Sequence, residues 1–224
     1  MIARILLVAI AAGVIAGAFV TAAQSVKVIP LIYQAETYEN AASENTTTSA
    51  ANAEWAPQDD FQRVAYTLLT NVLSGVGFSL LLTAAIVFAG VGISWTTGIL
   101  WGIGGFLAFS LIPSISLPPE MPGMVGADLL ERQIWWSVAV TSALVGLGLL
   151  AFGKKLAFKI LGIVIISVPH AIGAPHVNLS EASSTIPAEL ATQFVMATLL
   201  TTALFWLVLG ASVGGLLQRY AKPA

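Results

Sequence analysis

The sequence predicts an all-α integral membrane protein: six transmembrane helices arranged as hairpins, with the N- and C-termini in the cytoplasm. The 224-residue chain is 57% hydrophobic and only 9% charged, whereas a soluble domain carries roughly 25% charged residues. Its mean hydropathy is +0.89. It also contains six long apolar runs, and a helix needs about 20 apolar residues to cross a bilayer. Together these features predict a single membrane domain that covers residues 1–224.

The six apolar runs define the predicted helices. Backbone groups in lipid must form hydrogen bonds within their own segment, so each run is expected to be helical. The runs span approximately residues 5–23, 64–92, 95–112, 134–152, 156–172 and 190–217.

The first run has two interpretations. Arg4, the apolar stretch and the small residues before Ala23 resemble a cleavable signal peptide. However, the run is longer than the apolar part of a signal peptide, roughly 7–15 residues. Gly13 and Gly17 also have the spacing that favours close helix packing. A retained membrane helix is therefore expected.

The later runs are separated by turns or by polar loops. The second and third runs are divided by only a short turn, and neither contains a charged residue. The fifth run includes Lys159, whose long side chain can reach the interface. The sixth run is uncharged throughout and ends two residues before Arg219.

The distribution of charge predicts the orientation. With the N-terminus inside, six basic residues are cytoplasmic: Arg4, Lys154, Lys155, Lys159, Arg219 and Lys222. Three are outside: Lys27, Arg63 and Arg132. This excess agrees with the positive-inside rule. All eleven acidic residues fall in the three predicted outer loops, 24–63, 113–133 and 173–189.

Several classes of function are disfavoured by the sequence. The net charge of −2 argues against nucleic-acid partners. The stretch GLLAFGKK, residues 148–155, resembles a nucleotide-binding loop. However, it has Lys155 where Ser or Thr must hold Mg²⁺, and it follows a membrane helix rather than a strand. No H-E-x-x-H or G-x-S-x-G motif occurs. We therefore expect neither an enzyme, nor nucleotide binding, nor a prosthetic group.

Two related stretches, LPPEM at 117–121 and IPAEL at 186–190, each follow an outward-going helix and precede a returning one. They are consistent with repeated hairpins. They are equally typical of a helix start, where Pro and Glu suit the first turn.

The predicted outer face, which includes the three outer loops and the end of the fifth helix, contains the candidate metal ligands. Both histidines of the chain lie in SVPHAIGAPHV, residues 167–177. Imidazole and carboxylate groups suit divalent first-row metals, while the absence of Cys and the presence of only four Met argue against Cu(I). The spacing of the two histidines matches no fixed metal signature, and a set of polar interfacial loops explains these residues equally well. The candidates are Glu36, Glu39, Glu120, Asp128, Glu131, His170, His176, Glu181 and Glu189.

Within the predicted helices, only neutral polar residues lie at depth. Proton coupling is therefore not expected, because intramembrane ionisable groups usually mark proton relays. The neutral groups are candidates for lining a path, although such groups more often form hydrogen bonds between packed helices. They are Asn71, Ser74, Ser110, Gln193, Thr198, Thr201 and Thr202.

Five stretches carry a resemblance to a known family: PLIYQAETYE at 30–39, GILWGIGGFLAFSLIPSISLPPEMPG at 98–123, ADLLERQIWW at 127–136, PHAIGAP at 169–175 and IPAELATQFVMATLLTTALFWLVLG at 186–210. Through these stretches the chain resembles the CbtA family of proposed bacterial cobalt transporter subunits. The resemblance implies a bacterial inner-membrane protein that moves cobalt together with a small single-helix partner, CbtB, in connection with vitamin B12 supply. Many members carry a histidine-rich segment between the first two helices, but the corresponding NAASENTTTSAANAEW has no histidine.

Two hypotheses follow. In the first, the chain is the membrane subunit of a divalent metal transporter, with Co²⁺ as the transported ion. The ion would enter from the outer face through a vestibule of Glu36, Glu39, Glu120, His170 and Glu189, with His176 and Asp128 as further candidates. In the second, the chain is a non-transporting scaffold that stabilises or recruits a small partner. Its helices would then pack through small-residue faces, at Gly102–Gly105 and at Gly210 and Gly214.

Overall fold

The structure is a computed structural model that describes residues 2–44, 57, 59–176 and 186–220. Its helices are α1 (Ile2–Lys27), α2 (Ile29–Glu44), α3 (Asp60–Ala89), α4 (Trp95–Phe106), α5 (Ile112–Ser114), α6 (Leu129–Phe152), α7 (Leu156–Ile172) and α8 (Ala188–Tyr220). A π-helical turn, Leu107–Leu111, joins α4 to α5. No strand occurs in the described ranges, and the all-helical prediction is confirmed.

Among the described residues, five helical segments are long and apolar enough to cross a membrane: α1, α3, the continuous segment Trp95–Ser114, α6 and α8. The fifth predicted run coincides with α7, an apolar helix of 17 residues. At 1.5 Å per residue α7 is about 25 Å long, a little less than the hydrocarbon thickness of about 30 Å. Large apolar side chains such as Phe88 and Leu156 are exposed, as expected of helices that face lipid. The six-span count and the orientation stay predictions.

The first predicted loop, 24–63, is wrong in part, because α1 continues to Lys27 and α2 occupies Ile29–Glu44. Pro30 lies in the first turn of α2, where its missing N–H costs no hydrogen bond. Ala35 is fully buried on one face of this helix. The loop prediction counted polar residues and missed the short helix, which is too polar to be recognised as a membrane span.

The second predicted run, 64–92, is displaced toward the N-terminus, because α3 covers Asp60–Ala89. Asp59 caps the start: its carboxylate accepts a hydrogen bond from the Gln62 N–H at 2.7 Å. Gly90 ends the helix with φ of 62°, a left-handed conformation that favours glycine.

The chain divides into two compact units. Unit 1 comprises Met1–Pro30, Ser43–Gly105 and Leu200–Ala224, and unit 2 comprises Leu31–Ala42 and Phe106–Leu199. The single domain expected from the sequence stays a prediction.

In unit 1, α1 and α3 pack antiparallel through glycines. A Cβ atom on Gly13 would overlap the backbone of Val76, and one on Gly17 would lie 2.6 Å from Cα of Val72. Gly75 lies against Gly13 from the other helix. The packing predicted from the spacing of Gly13 and Gly17 is confirmed, because only glycine permits backbones to approach this closely.

A second antiparallel pair in unit 1 joins α4 to the end of α8. Gly98 lies against Gly210 and Gly214, and Gly102 lies against Trp206 and Gly210. Around Trp206 the aromatic rings cluster, with Phe78 at a centroid distance of 5.0 Å. The small residues bring the backbones together and the rings fill the space beside them.

In unit 2, α6 and α7 form an antiparallel hairpin. A Cβ atom on Gly146 would lie 2.6 Å from the carbonyl oxygen of Gly162, and the hairpin turns at Gly153. Before this hairpin, the Ile112 N–H bonds to the carbonyl of Leu107, five residues earlier. This wide turn precedes Pro113, which lacks an N–H and crowds the carbonyl four residues before it.

Candidate metal site

All seven residues of the predicted vestibule fall in unit 2. They occur on five separate segments of the chain: α2, the loop after α5, the start of α6, the end of α7 with its following residues, and the start of α8. In that order they are Glu36 and Glu39, Glu120, Asp128, His170 and His176, and Glu189.

His170 is positioned by contacts with two other segments of the chain. Its Nδ1 atom lies 2.8 Å from the hydroxyl of Ser116. Its ring meets the edge of Trp135 at a centroid distance of 5.7 Å and an angle of 76°. Its Nε2 atom is buried and has no hydrogen-bond partner among the described residues. The imidazole is therefore fixed through one nitrogen, while the other is held away from water.

Packing around the end of α7 explains this position. Trp135 is only 8% exposed, and its indole N–H donates to the carbonyl oxygen of Pro169 at 3.3 Å. Trp135 also packs with Ala139 and Ala174, and Leu117 lies against that cluster. The loop after α5 is thus anchored beside the last turn of α7, which brings Ser116 to His170.

Glu120 forms an ion pair with Arg132 that the sequence analysis did not predict. The carboxylate Oε2 accepts a hydrogen bond from Nη1 of Arg132, and the two side chains are 30% and 27% exposed, respectively. Gly126 leaves room for the pair, since a Cβ atom there would lie 2.6 Å from Oε2 of Glu120. Arg132 offsets the negative charge that made Glu120 a candidate ligand.

Asp128 and Glu189 have local partners. Asp128 caps α6 by accepting hydrogen bonds from the N–H groups of Leu130 at 2.9 Å and Glu131 at 3.1 Å. Glu189 is exposed in the first turn of α8 and accepts a hydrogen bond from Gln193 at 3.3 Å. The path candidate Gln193 thus lies beside a predicted ligand.

The two glutamates of α2 lie three residues apart on the helix and therefore share a face. Glu36 is half-buried and Glu39 is exposed. A Cβ atom on Gly123 would lie 3.4 Å from Oε2 of Glu39 and 3.4 Å from Cδ1 of Ile186. Glu39 therefore lies near the LPPEM loop and the IPAEL segment, the two stretches that resemble each other.

Within the described part of the chain, no three His, Asp or Glu side chains come together as a metal-holding group. The structure brings His170 to Ser116 and Glu120 to Arg132 instead. His176 is exposed, and Glu181 lies outside the described residues.

A cavity of about 460 Å³ opens in unit 2 between α6 and the end of α7. Trp135, Pro169 and Ile172 form apolar walls, and Glu131 supplies a carboxylate. Glu131 was one of the acidic candidates of the sequence, and it lies in the first turn of α6.

The neutral candidates for a path divide between the two units. Asn71, in unit 1, donates hydrogen bonds to Thr21 at 3.0 Å and Gln24 at 2.7 Å. It therefore forms hydrogen bonds between packed helices, which was the alternative to lining a path. Thr201 is only 2% exposed in unit 1. Ser110 lies in the π-helical turn, in unit 2.

Two buried hydroxyls were missed from the sequence. Ser79 is fully buried and Thr83 is 2% exposed. Neither hydroxyl has a hydrogen-bond partner among the residues that the structure describes. They are four residues apart on α3, so both lie on one helix face. This spacing is the feature of the sequence that could have identified them as a pair.

Comparison with known proteins gives one family. The family model described as "Probable cobalt transporter subunit (CbtA)" matches residues 2–218. Neither the curated proteins nor the solved structures gave a match.

Proposed function

Because the chain belongs to the CbtA family of probable cobalt transporter subunits, we propose that it takes up a divalent metal ion from the outer face of the membrane. Co²⁺ is the proposed ion, and the proposed entry is a vestibule of carboxylates and histidine in unit 2. The family and the apolar helices support a transport subunit in a membrane. The vestibule is the part that the proposal adds.

The geometry of His170 carries this proposal. When Nδ1–H donates to Ser116, the lone pair lies on Nε2, and neutral imidazole is a common ligand of first-row metals. A hydrogen bond to the far nitrogen commonly orients a ligating histidine. Ser116 supplies such a bond at 2.8 Å.

The ion pair of Glu120 suits transport better than permanent binding. A cation that reaches Glu120 must share the carboxylate with Arg132, so part of the attraction is offset. Conduction requires binding that is strong enough for entry and weak enough for release. The remaining carboxylates, Glu36, Glu39 and Glu189, would attract the ion while it keeps much of its water.

The arrangement of unit 1 supports the six-span topology. Arg4, near the start of α1, and Arg219, near the end of α8, line one cavity. The two helix ends therefore lie at the same end of unit 1, and this placement supports an even number of crossings between them. Counting α7 with the five longer segments gives six. With both ends cytoplasmic, the membrane potential can drive a cation inward.

The word "subunit" in the family description implies a partner, and we propose a small single-helix membrane protein. A scaffold without transport is the second candidate. Three of the glycines assigned to its packing contact other glycines of this chain: Gly102 lies against Gly210, and both Gly210 and Gly214 lie against Gly98.

Uptake of radioactive cobalt into cells tests the proposal. The cells express the intact chain, His170→Ala or the matched control His176→Ala, each at equal abundance and each with and without the single-helix partner. We expect His170→Ala to abolish most of the uptake. His176→Ala, which removes an exposed imidazole, should retain most of it.

Equal uptake by the intact chain and His170→Ala would move the site elsewhere and leave transport intact. Absence of uptake in every arrangement would contradict transport and favour the scaffold.

A further inference from the structure

A cavity of about 520 Å³ lies in unit 1, between the start of α1 and the end of α8. It has a basic part and an apolar part. Arg4 and Arg219 supply two guanidinium groups, while Leu7, Ala11 and Leu216 form apolar walls. Neither the metal-uptake proposal nor the helix packing assigns a role to this cavity.

The charge of the cavity favours an anion. Neither arginine forms an ion pair with a carboxylate among the described residues, and Arg4 is exposed. No acidic residue occurs in the sequence at 1–23 or 190–224. Each guanidinium presents five N–H donors in a planar fork that matches phosphate oxygens. Two such groups beside one cavity fit a phosphate better than a single surface arginine does.

The walls favour an amphiphile over a free anion. Leu7 is 66% exposed, and Leu216 is half-buried. Tyr220 also lines the cavity. The guanidinium carbon of Arg219 lies 5.5 Å from the centroid of the Tyr220 ring. Tyrosine is enriched at the level of lipid headgroups. The charged groups thus lie at the ends of the helices and the apolar walls continue along them, as the head and tails of a lipid do.

We propose that this cavity binds one phospholipid with an anionic headgroup, from the leaflet that surrounds the start of α1 and the end of α8. The phosphate contacts Arg4 and Arg219, and an acyl chain lies along Leu7, Ala11 and Leu216. Basic pockets between membrane helices bind such headgroups in the same manner. The lipid would join the first and last membrane helices of the chain.

Arg219 also has an alternative role. It lies in the last turn of α8, where a basic side chain stabilises the carbonyl end of a helix. Stabilisation of the helix end does not depend on the lipid headgroup, whereas lipid binding does. Varying the lipid composition therefore separates the two explanations.

The test uses the purified full chain in nanodiscs of phosphatidylcholine alone or mixed with phosphatidylglycerol. Two quantities are measured: the thermal unfolding midpoint, and the phosphatidylglycerol retained per chain after exchange into lipid-free detergent. The variant is Arg4→Gln/Arg219→Gln. The control, Lys154→Gln/Lys155→Gln, removes two exposed charges from the α6–α7 turn.

We expect phosphatidylglycerol to raise the midpoint of the intact chain and of the control, but not that of the arginine variant. Binding of phosphatidylglycerol should weaken about 30-fold in that variant, from the loss of two basic contacts to an anionic headgroup. If the double variant fails to fold, Arg4→Gln alone should lose part of the effect.

Three results would overturn the proposal. They are an equal response of both variants to phosphatidylglycerol, absence of any response in the intact chain, and reproduction of the whole effect by inorganic phosphate in phosphatidylcholine discs. The last result would indicate a site for free anions.

Discussion

His170 owes its position to residues that are far away in the sequence. Ser116 is 54 residues earlier, and Trp135 belongs to a different helix. The sequence alone identified the histidine as a helix-end residue in an acidic region. It could not identify its hydrogen-bond partner, because serine is common and nothing in its spacing indicates a contact with α7.

At the residue scale, replacing Ser116 with Ala should weaken cobalt uptake. The substitution removes the hydrogen bond to Nδ1, so that the ring loses its orientation and its preferred tautomer. Loss of such an outer contact typically costs about 10–100-fold in metal affinity or activity. Uptake measured against cobalt concentration should show a raised KM.

Ser116→Thr is the matched control, because it keeps the hydroxyl and should keep most of the uptake. Uptake by Ser116→Ala at the level of the intact chain would show that the contact with His170 is not used in transport.

The unpartnered hydroxyl of Ser79 gives a second prediction at this scale. A buried hydroxyl without a hydrogen bond costs about 1–3 kcal/mol. Ser79→Ala removes this cost with little loss of volume, and the free energy of unfolding should rise by about 1 kcal/mol. The measurement is chemical or thermal unfolding in one detergent.

The control is Thr21→Ala, which removes a hydroxyl that does have a partner, the carbonyl of Gly17 at 2.8 Å. A loss of stability in Ser79→Ala, equal to that in Thr21→Ala, would indicate that the Ser79 hydroxyl has a favourable interaction.

At the element scale, glycines set the distance between α4 and α8. A Cβ atom on Gly210 would overlap the carbonyl of Gly98 and lie 3.0 Å from Cα of Gly102. Gly210→Ala should therefore destabilise unit 1 by about 1–3 kcal/mol, the usual cost of overpacking. Thermal unfolding of the purified variant measures this change.

Gly104 provides the comparison, because nothing lies within 4 Å of the Cβ position there. Gly104→Ala should be neutral, or should stabilise the helix by up to about 1 kcal/mol through better helix propensity. Equal destabilisation by both substitutions would contradict the importance of the close approach.

The elements themselves could be predicted to different degrees. The apolar run 156–172 coincides with α7 at both ends. Turn residues flank the run, and its charged residue, Lys159, lies near the N-terminal end. The polar helix α2 was missed, since the apolar-run criterion tests for membrane spans and not for helices. Predicting the π-helical turn requires knowing which N–H groups form hydrogen bonds with the carbonyls before Pro113. Composition does not provide this information.

At the scale of the whole molecule, the topology can be tested by introducing single cysteines. The chain has no cysteine of its own that would react with the label. Six crossings place Lys155 in the cytoplasm and Glu189 outside. A membrane-impermeant maleimide added to intact cells should label Glu189→Cys and not Lys155→Cys. Both should be labelled after permeabilisation.

The opposite labelling pattern would invert the orientation. Labelling of both positions in intact cells would mean that α7 does not cross the membrane, because these residues lie on either side of it in the sequence. Protein abundance must be equal in the two variants.

Composition was sufficient to predict the class of the molecule, because a surface with so few charges must face lipid. The resemblance to the family was also confirmed over nearly the whole chain. The candidate site was predictable only as a set of residue types. The pairing of Glu120 with Arg132 depends on side-chain geometry, and a sum of charges over a loop cannot reveal it.

The packing of α8 against α4 has a consequence for biosynthesis. The partners of Gly98 and Gly102 belong to α8, which leaves the ribosome after α6 and α7, whereas α6 and α7 are neighbours in the chain and can pair as soon as both are inserted. During translation the glycine face of α4 is therefore exposed in the bilayer until α8 is inserted. A nascent chain arrested before α8 would present this face to membrane-embedded proteases, so unit 1 would reach its protected state only after α8 has been inserted.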